Sequence, residues 1–211
     1  MSTSPRPQVH VVDDDAPFLR SVLFMLEDGG WDAVGHASAE AFLQAAPVPG
    51  PEGGCLLLDI RMPRLSGLAL QQRLVAAGSP WPIVFMTAHG DMEQAVQAMK
   101  AGALDFLQKP FKPQALMDAV AHAVEASQAA QRERTRRDEA VALLERLSAR
   151  EREVARLVAL GLSNKEVARQ LAISDNTVHV HRQRITDKLG TGHAADLARL
   201  ILRANPDGLD G

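Results

Sequence analysis

The sequence is nearly devoid of cysteine: Cys55 is the only one among 211 residues. An internal disulfide is thereby excluded, no Cys/His group has zinc-site spacing, and Cys55 reads as a plain buried thiol. Long apolar runs are missing as well. No stretch approaches the ~18 residues that a bilayer-crossing helix needs, and the start, Met1-Ser-Thr-Ser-Pro-Arg-Pro, is polar and broken by proline where a signal peptide would be apolar. The expected location is cytoplasmic, with no membrane partner. There is no internal repeat, and no low-complexity tract beyond an Ala/Arg-rich bias before the last third. Hydrophobic residues at 46% and charged residues at 23% exclude wholesale disorder, and the length allows one large domain or two small ones.

Charge of one sign is also lacking overall, but not locally. Residues 1–126 carry 8 Lys/Arg against 14 Asp/Glu, residues 127–143 carry 4 against 3, and residues 144–211 carry 11 against 9. An acidic front and a mildly basic back suggest two modules with different partners, a cation in front and a polyanion behind.

The front alternates short aliphatic runs with amphipathic stretches, the pattern of a parallel sheet covered by helices on both faces. Strands are expected at Gln8–Val12, Trp31–His36, Cys55–Leu58, Pro82–Met86 and Leu104–Leu107. Helices are expected at Pro17–Asp28, at Ala39–Ala45 behind an N-capping Ser38, at Gly67–Ala77, at Met92–Lys100 between Asp91 and Gly102, and from Pro113 onward. From about Leu116 to Leu147 there is neither Gly nor Pro, so the last of these is expected to run on as a connector. Its middle, Gln131-Arg-Glu-Arg-Thr-Arg-Arg137, is too polar to be buried. In the last third, Ser148-Ala-Arg-Glu151 and Ser163-Asn-Lys-Glu166 are capping boxes that mark two helix starts. Gly161 stops the first helix, and Ile173-Ser174 opens a third that ends at Leu189-Gly190. Ser163 to Leu189 reads as helix, tight turn, helix.

In a doubly wound sheet, ligands collect at the carboxyl ends of the strands. There the sequence places Asp13-Asp14-Asp15, Asp59, Thr87 and Lys109-Pro110. Carboxylates converging without a cation would repel one another, so a hard divalent ion held by oxygens is implied, with Mg²⁺ the natural candidate. A hydroxyl and an ammonium beside it suit the oxygens of a transferred phosphoryl group, and Asp59, alone at its strand end, would be the nucleophile. Taken singly, these residues are equally explained as helix caps, turn residues and surface charges. Their joint placement on successive strand ends is what points to chemistry.

Val9-His-Val-Val-Asp13-Asp14-Asp15, Leu57-Leu-Asp59-Ile-Arg-Met-Pro63 with Gly67, Met86-Thr87-Ala88-His89-Gly90-Asp91, and Ala101-Gly-Ala-Leu-Asp-Phe106-Leu-Gln-Lys109-Pro110-Phe111 resemble the receiver domain of two-component response regulators. The resemblance spans about 8–125 and implies a flavodoxin-like, doubly wound, five-stranded parallel sheet. It implies Asp59 as phosphoacceptor and Asp13 and Asp14 as the acid pair. Asp14 and Asp59 with the Arg61 carbonyl would ligate Mg²⁺, Thr87 and Lys109 would contact the phosphoryl group, and Phe106 falls at an aromatic switch position. A cis bond before Pro110 is implied too. A second reading stays open, since Asp13-x-Asp15 also fits the Asp-x-Asp of haloacid-dehalogenase-type phosphatases, with Asp13 as nucleophile; no cap-domain insertion is visible.

On a helical wheel, Val178, Ile185 and Leu189 share one face, and Asn176, His179, Val180 and Gln183 the other. Val167, Ala168 and Leu171 give the preceding helix a matching stripe, and Val154, Leu157 and Val158 complete a three-helix core. Leu147-Ser-Ala-Arg-Glu151-Arg-Glu-Val154, Gly161-Leu-Ser163-Asn164-Lys165-Glu166-Val167-Ala168, and Ile173-Ser174-Asp-Asn-Thr177-Val178-His-Val-His181-Arg182 with Lys188-Leu189 look like the LuxR-type DNA-binding domain, over about 144–205. Together the halves resemble FixJ/NarL-type transcriptional regulators. That resemblance implies a receiver domain over 1–125, a helical linker over 126–143 and an all-α helix-turn-helix domain over 144–211. By position, His179, Val180 and Gln183 face bases in the major groove, and Lys165, Ser174, Thr177, Arg182 and Arg184 are candidates for phosphate contacts. His181 points toward the core side. Asp175-Asn176 stands where a basic residue is frequent and His179 where Glu or Lys is usual, so base preference does not transfer.

The function this implies is a phosphorylation-controlled transcription regulator, with no enzymatic activity beyond its own phosphorylation and dephosphorylation. The partners implied are promoter DNA, a sensor histidine kinase, a second copy of the chain on phosphorylation, and RNA polymerase. An adaptor whose C-terminal helices bind protein is the alternative for the back half.

Overall fold

The computed structural model describes residues 6–88 and 92–209, Met92 by its backbone alone, and divides into two compact units, the boundary falling between Gln131 and Arg132. The first unit holds β1 (Gln8–Val12), α1 (Ala16–Asp28), β2 (Asp32–His36), α2 (Ala39–Ala45), β3 (Gly54–Asp59), α3 (Gly67–Ala76), β4 (Ile83–Thr87), α4 (Met92–Lys100) and β5 (Asp105–Gln108). Helix α5 (Pro113–Glu145) follows, and it runs unbroken for 33 residues, as the absence of Gly and Pro from this stretch leads one to expect. The second unit holds α6 (Ala149–Ala159), α7 (Asn164–Leu171), α8 (Asp175–Leu189) and α9 (Ala194–Ala204).

All strands pair in parallel in the order β2-β1-β3-β4-β5. Every residue of β3 and β4 is buried, which is why these segments read as continuous apolar runs rather than alternating ones. The pleat sends Leu56, Leu58 and Phe85 to one face, where α2, α3 and α4 cover them with Phe42, Leu70 and Ala98. It sends Leu57, Val84 and Met86 to the other, under Leu19, Val22 and Leu26 of α1 and Leu116 and Val120 of α5. Because every pair is parallel, all five strand carboxyl ends lie on one rim. Gly67 is required there. A Cβ at this position would lie 2.1 Å from the Asp59 carbonyl oxygen, so only glycine lets α3 start against the end of β3.

The caps follow the sequence. Asp15, Ser38 and Ser66 accept from the first turns of α1, α2 and α3. Both capping boxes are formed at α6 and α7, and Ser174 caps α8, which Gly190 closes in the left-handed region. Asp91, the expected cap of α4, lies outside the described residues, as do His89 and Gly90. Val154, Leu157, Val158, Val167, Val178 and Ile185 form the second core. Leu197 and Ile201 of α9 are buried beside it, and this fourth helix of the unit is one that the reading of the sequence did not single out. Its spacing of Leu197, Ile201 and Ala204 was the available signal.

Candidate phosphoacceptor site and DNA-reading helix

Parallel pairing in this order brings the end of β1 beside the end of β3, and β3 beside β4. Asp13 follows β1 directly and is 1% exposed; Asp59 closes β3 at 7%, and Thr87 closes β4 at 2%. The turn after β5 returns Lys109, whose backbone N–H donates to the Thr87 carbonyl at 2.7 Å and whose peptide bond to Pro110 is cis. Its ammonium then reaches across the rim. Lys109 Nζ donates to Asp13 Oδ2 and to Asp59 Oδ1, each at 2.6 Å, and rests 4.2 Å from the centre of the Phe18 ring.

Burial alone would lower the Lys109 pKa, but the hydrogen bonds to Asp13 and Asp59 and the two negative charges outweigh it and hold the ammonium above its usual value. Burial raises Asp59; Lys109 and the Arg61 N–H oppose this, while the charge of Asp13 adds to it. One positive charge is shared between two buried carboxylates. Asp14 is exposed and, with Arg61, lines an open groove of about 760 Å³ together with Met62, Ser66, Gln94 and Gln97. Among the described residues no three His, Cys, Asp or Glu side chains are gathered as a metal cluster. Asp13 and Asp59 are brought together and Asp14 is not. Lys109 bridges the two buried acids, and Asp13 Oδ1 accepts from the Asp15 N–H at 2.9 Å.

Phe106 is half-buried on β5 and packs against the core on the α4 side of the sheet. Thr87 Oγ1 donates to the Ala88 carbonyl at 3.2 Å.

In the second unit, Val178 and Ile185 of α8 are fully buried while His179, Val180, Gln183 and Arg184 are exposed, with Lys165 exposed on α7. Glu151 of α6 accepts from Lys188 Nζ at 2.6 Å and from the Ser148 N–H at 2.7 Å, which holds its carboxyl down to about 2 and ties the end of α8 to the start of α6.

Two family models match the chain: the response regulator receiver domain over residues 9–121, and the luxR family of bacterial regulatory proteins over 145–201. Transcriptional regulatory protein FixJ of Bradyrhizobium diazoefficiens is 39% identical over 196 residues, covering 93% of this chain and 95% of that one. The chain belongs to the FixJ-like response regulators. The solved structure of the response regulator StyR superposes with a TM-score of 0.80 at 40% identity, covering 93% of this chain and 98% of that one. Full-length FixJ from B. japonicum gives 0.60 at 37%, over 96% and 99%. The FixJ-like regulators join a receiver to a LuxR-type helix-turn-helix domain, and their function, transcription regulation under the control of phosphorylation, is the class of this one.

Several side chains of this FixJ-like regulator sit differently from their expected roles. Ser174 Oγ caps α8 by accepting from the Thr177 N–H at 3.1 Å and lies 2.7 Å from Thr177 Oγ1. Arg182, expected at a phosphate, is half-buried and donates to Asn164 Oδ1 at 2.7 Å and to the Gly192 carbonyl at 3.5 Å. His181 is half-buried with Nδ1 unpartnered among the described residues, in agreement with its place on the core side of the wheel. The reading of the sequence also missed a buried pair: His10 Nδ1 and His36 Nε2 are 2.9 Å apart on neighbouring strands.

Proposed function

We propose that this regulator accepts a phosphoryl group on Asp59 from a sensor histidine kinase and, once phosphorylated, binds promoter DNA through α8 as a homodimer. The observation that carries the reading is the convergence of Asp13, Asp59 and Lys109 on one rim beside Thr87. Asp59 presents a carboxylate oxygen to phosphorus, and the donor's leaving group departs with the bonding electrons. Thr87 and Lys109 then bind the oxygens of the group transferred. The donor set suits Mg²⁺, being oxygen throughout: Asp13, Asp14 and Asp59 with the Arg61 carbonyl. When bound, the ion would neutralise charge on the group in transfer. Activity on this reading is confined to the protein's own phosphorylation and dephosphorylation.

The proposed domain limits are 1–125 for the receiver, 126–143 for the linker and 144–211 for the DNA-binding domain. The protein works in the cytoplasm, where promoter DNA and RNA polymerase are its partners. His179, Val180 and Gln183 read bases, and Lys165 and Arg184, both exposed, contact phosphates. Ser174 caps α8 as an acceptor and shares one hydroxyl proton with Thr177, which leaves the other hydroxyl proton of the pair for a phosphate. Replacing Gln183 by Ala is expected to reduce discrimination between a selected and a scrambled duplex. Lys165→Ala or Arg184→Ala should weaken both duplexes alike and flatten the salt dependence by ~1 per lost contact. Equal losses on both duplexes for Gln183→Ala would show that the reading face lies elsewhere.

Dimerisation is proposed through α4, β5 and α5, where Val96 and Met99 of α4 are exposed. A phosphoryl group adds roughly −1.5 to −2 charges, which Thr87 and Lys109 approach, and Phe106 passes the change on by exchanging an inward for an outward rotamer. Sedimentation with an acyl-phosphate mimic should show a dimer for the wild type and a monomer for Thr87→Ala. A wild type whose oligomeric state ignores the mimic would overturn the mechanism.

A further inference from the structure

Arg182 differs from the other basic residues near the reading face. Lys165 and Arg184 extend into solvent, whereas Arg182 is half-buried and its guanidinium touches two other segments of the chain. Nη1 donates to the side chain of Asn164, the first residue of α7, at 2.7 Å. Nη2 points at the carbonyl of Gly192, in the link from α8 to α9, at 3.5 Å. That link is held close. A Cβ on Gly192 would come within 2.4 Å of Thr186 Oγ1, and the same hydroxyl donates to the Arg182 carbonyl at 3.0 Å.

Asn164, Arg182, Thr186 and Gly192 line a groove of about 450 Å³ together with His179 and Gln183. A planar fork with five donors is suited to bridging two acceptors in fixed directions, which a lysine ammonium on a flexible stem is not. A phosphate that drew the guanidinium out of this groove would break its bond to Asn164. That would leave the start of α7 without its tie to α8, and the start of α7 is where Lys165 projects.

We infer that Arg182 is a positioning residue: it locks the start of α7 and the α8–α9 link to the reading helix, and it is not itself a phosphate contact. The inference rests on the DNA-binding reading given above and adds which residue sets the distance between the phosphate-binding and base-reading groups. Asn164 is its partner in that task.

The test uses the full chain treated with an acyl-phosphate mimic, a duplex that the wild type so treated enriches from a randomised library, and a scrambled duplex of the same composition. Salt titrations are run for Arg182→Met, Arg182→Lys, Asn164→Ala and the double variant Arg182→Met/Asn164→Ala. Arg182→Met and Asn164→Ala should each weaken the enriched duplex by about tenfold, affect the scrambled one less, and leave the slope of log affinity against log salt unchanged. The double variant should be little worse than either single one, because both remove the same bond. Arg182→Lys should fail to rescue discrimination although it keeps the charge. A slope smaller by about 1 for Arg182→Met, with both duplexes weakened alike and Arg182→Lys behaving as wild type, would make Arg182 a phosphate contact and overturn the inference alone. Should Arg182→Met not fold, Asn164→Ala breaks the same bond from α7, and wild-type discrimination in that variant would overturn the inference equally. A wild type that binds no duplex would instead remove the DNA-binding reading itself.

Discussion

Asp59→Asn is expected to take up no phosphoryl group from a small-molecule phosphodonor, whereas the wild-type chain should be labelled at that one residue and only with Mg²⁺ present. Asparagine keeps the size and the position at the end of β3 but has no anionic oxygen to attack phosphorus. The other buried acid is poorly placed to take over. Asp13 is 1% exposed, one of its oxygens accepts from the Asp15 N–H and the other from Lys109, so neither is free for an incoming donor. Asp59, at 7%, is less buried; its Oδ1 accepts from Lys109, and its carboxylate also accepts from the Arg61 N–H. Intact mass and peptide mapping of donor-treated wild type and variant make the comparison. Label found on Asp13 of Asp59→Asn would restore the phosphatase reading, in which Asp13 is the nucleophile.

The second large effect is a loss of receiver stability in acid. His10 is buried, bonded to His36 at one ring nitrogen and to Gln8 Oε1 at the other, with Phe42 and Trp81 edge-on around it. Burial first, and then the neighbouring His36, push its pKa from 6.5 down to about 4, with Asp32 acting weakly in the opposite sense. Burial lowers His36 as well. The unfolded chain therefore binds a proton near 6.5 that the folded chain refuses until about 4. Stability is complete above the unfolded value and declines as pH falls from there toward 4, by up to about 3 kcal/mol at 1.36 kcal/mol per pKa unit. Both tryptophans, Trp31 and Trp81, belong to the first unit, so their fluorescence follows that unit alone during urea unfolding. The midpoint should drop between about pH 7.5 and about pH 4.5 in the wild type, and drop much less in His10→Leu/His36→Leu. Equal declines in the two proteins would place the acid sensitivity elsewhere.

The elements were legible because their signals are local. Each strand was placed within a residue or two by its apolar run, and the starts of α2, α6, α7 and α8 by the capping residues Ser38, Ser148, Ser163 and Ser174. What the sequence left hidden is the competition of side chains for one another. Nothing local to Lys109 reveals that its ammonium bonds both Asp13 and Asp59. His10 and His36 meet only because β1 and β2 pair in a register that sets Val12 beside His36. Arg182 shares a recognition helix with the exposed Arg184, and only the position of Asn164 on α7 distinguishes it. Helix α9 shows the opposite failure. Its pattern was present, but no cap residue marked its start, since His193 makes no side-chain capping bond.

Strand β5 has a neighbour on one side only. Its four residues, with Lys109 just beyond, are the stretch that the proposed signalling step disturbs, and they are tied to the sheet by a single ladder shared with β4. Moving an interior strand such as β1 or β3 would break two ladders and expose both cores. Moving β5 strains one ladder and opens one margin. Local opening is least costly where backbone bonds are fewest, so a peripheral strand can answer a phosphoryl group while the interior stays shut. The sheet thus separates durability from responsiveness by position, the first in its middle and the second at its border.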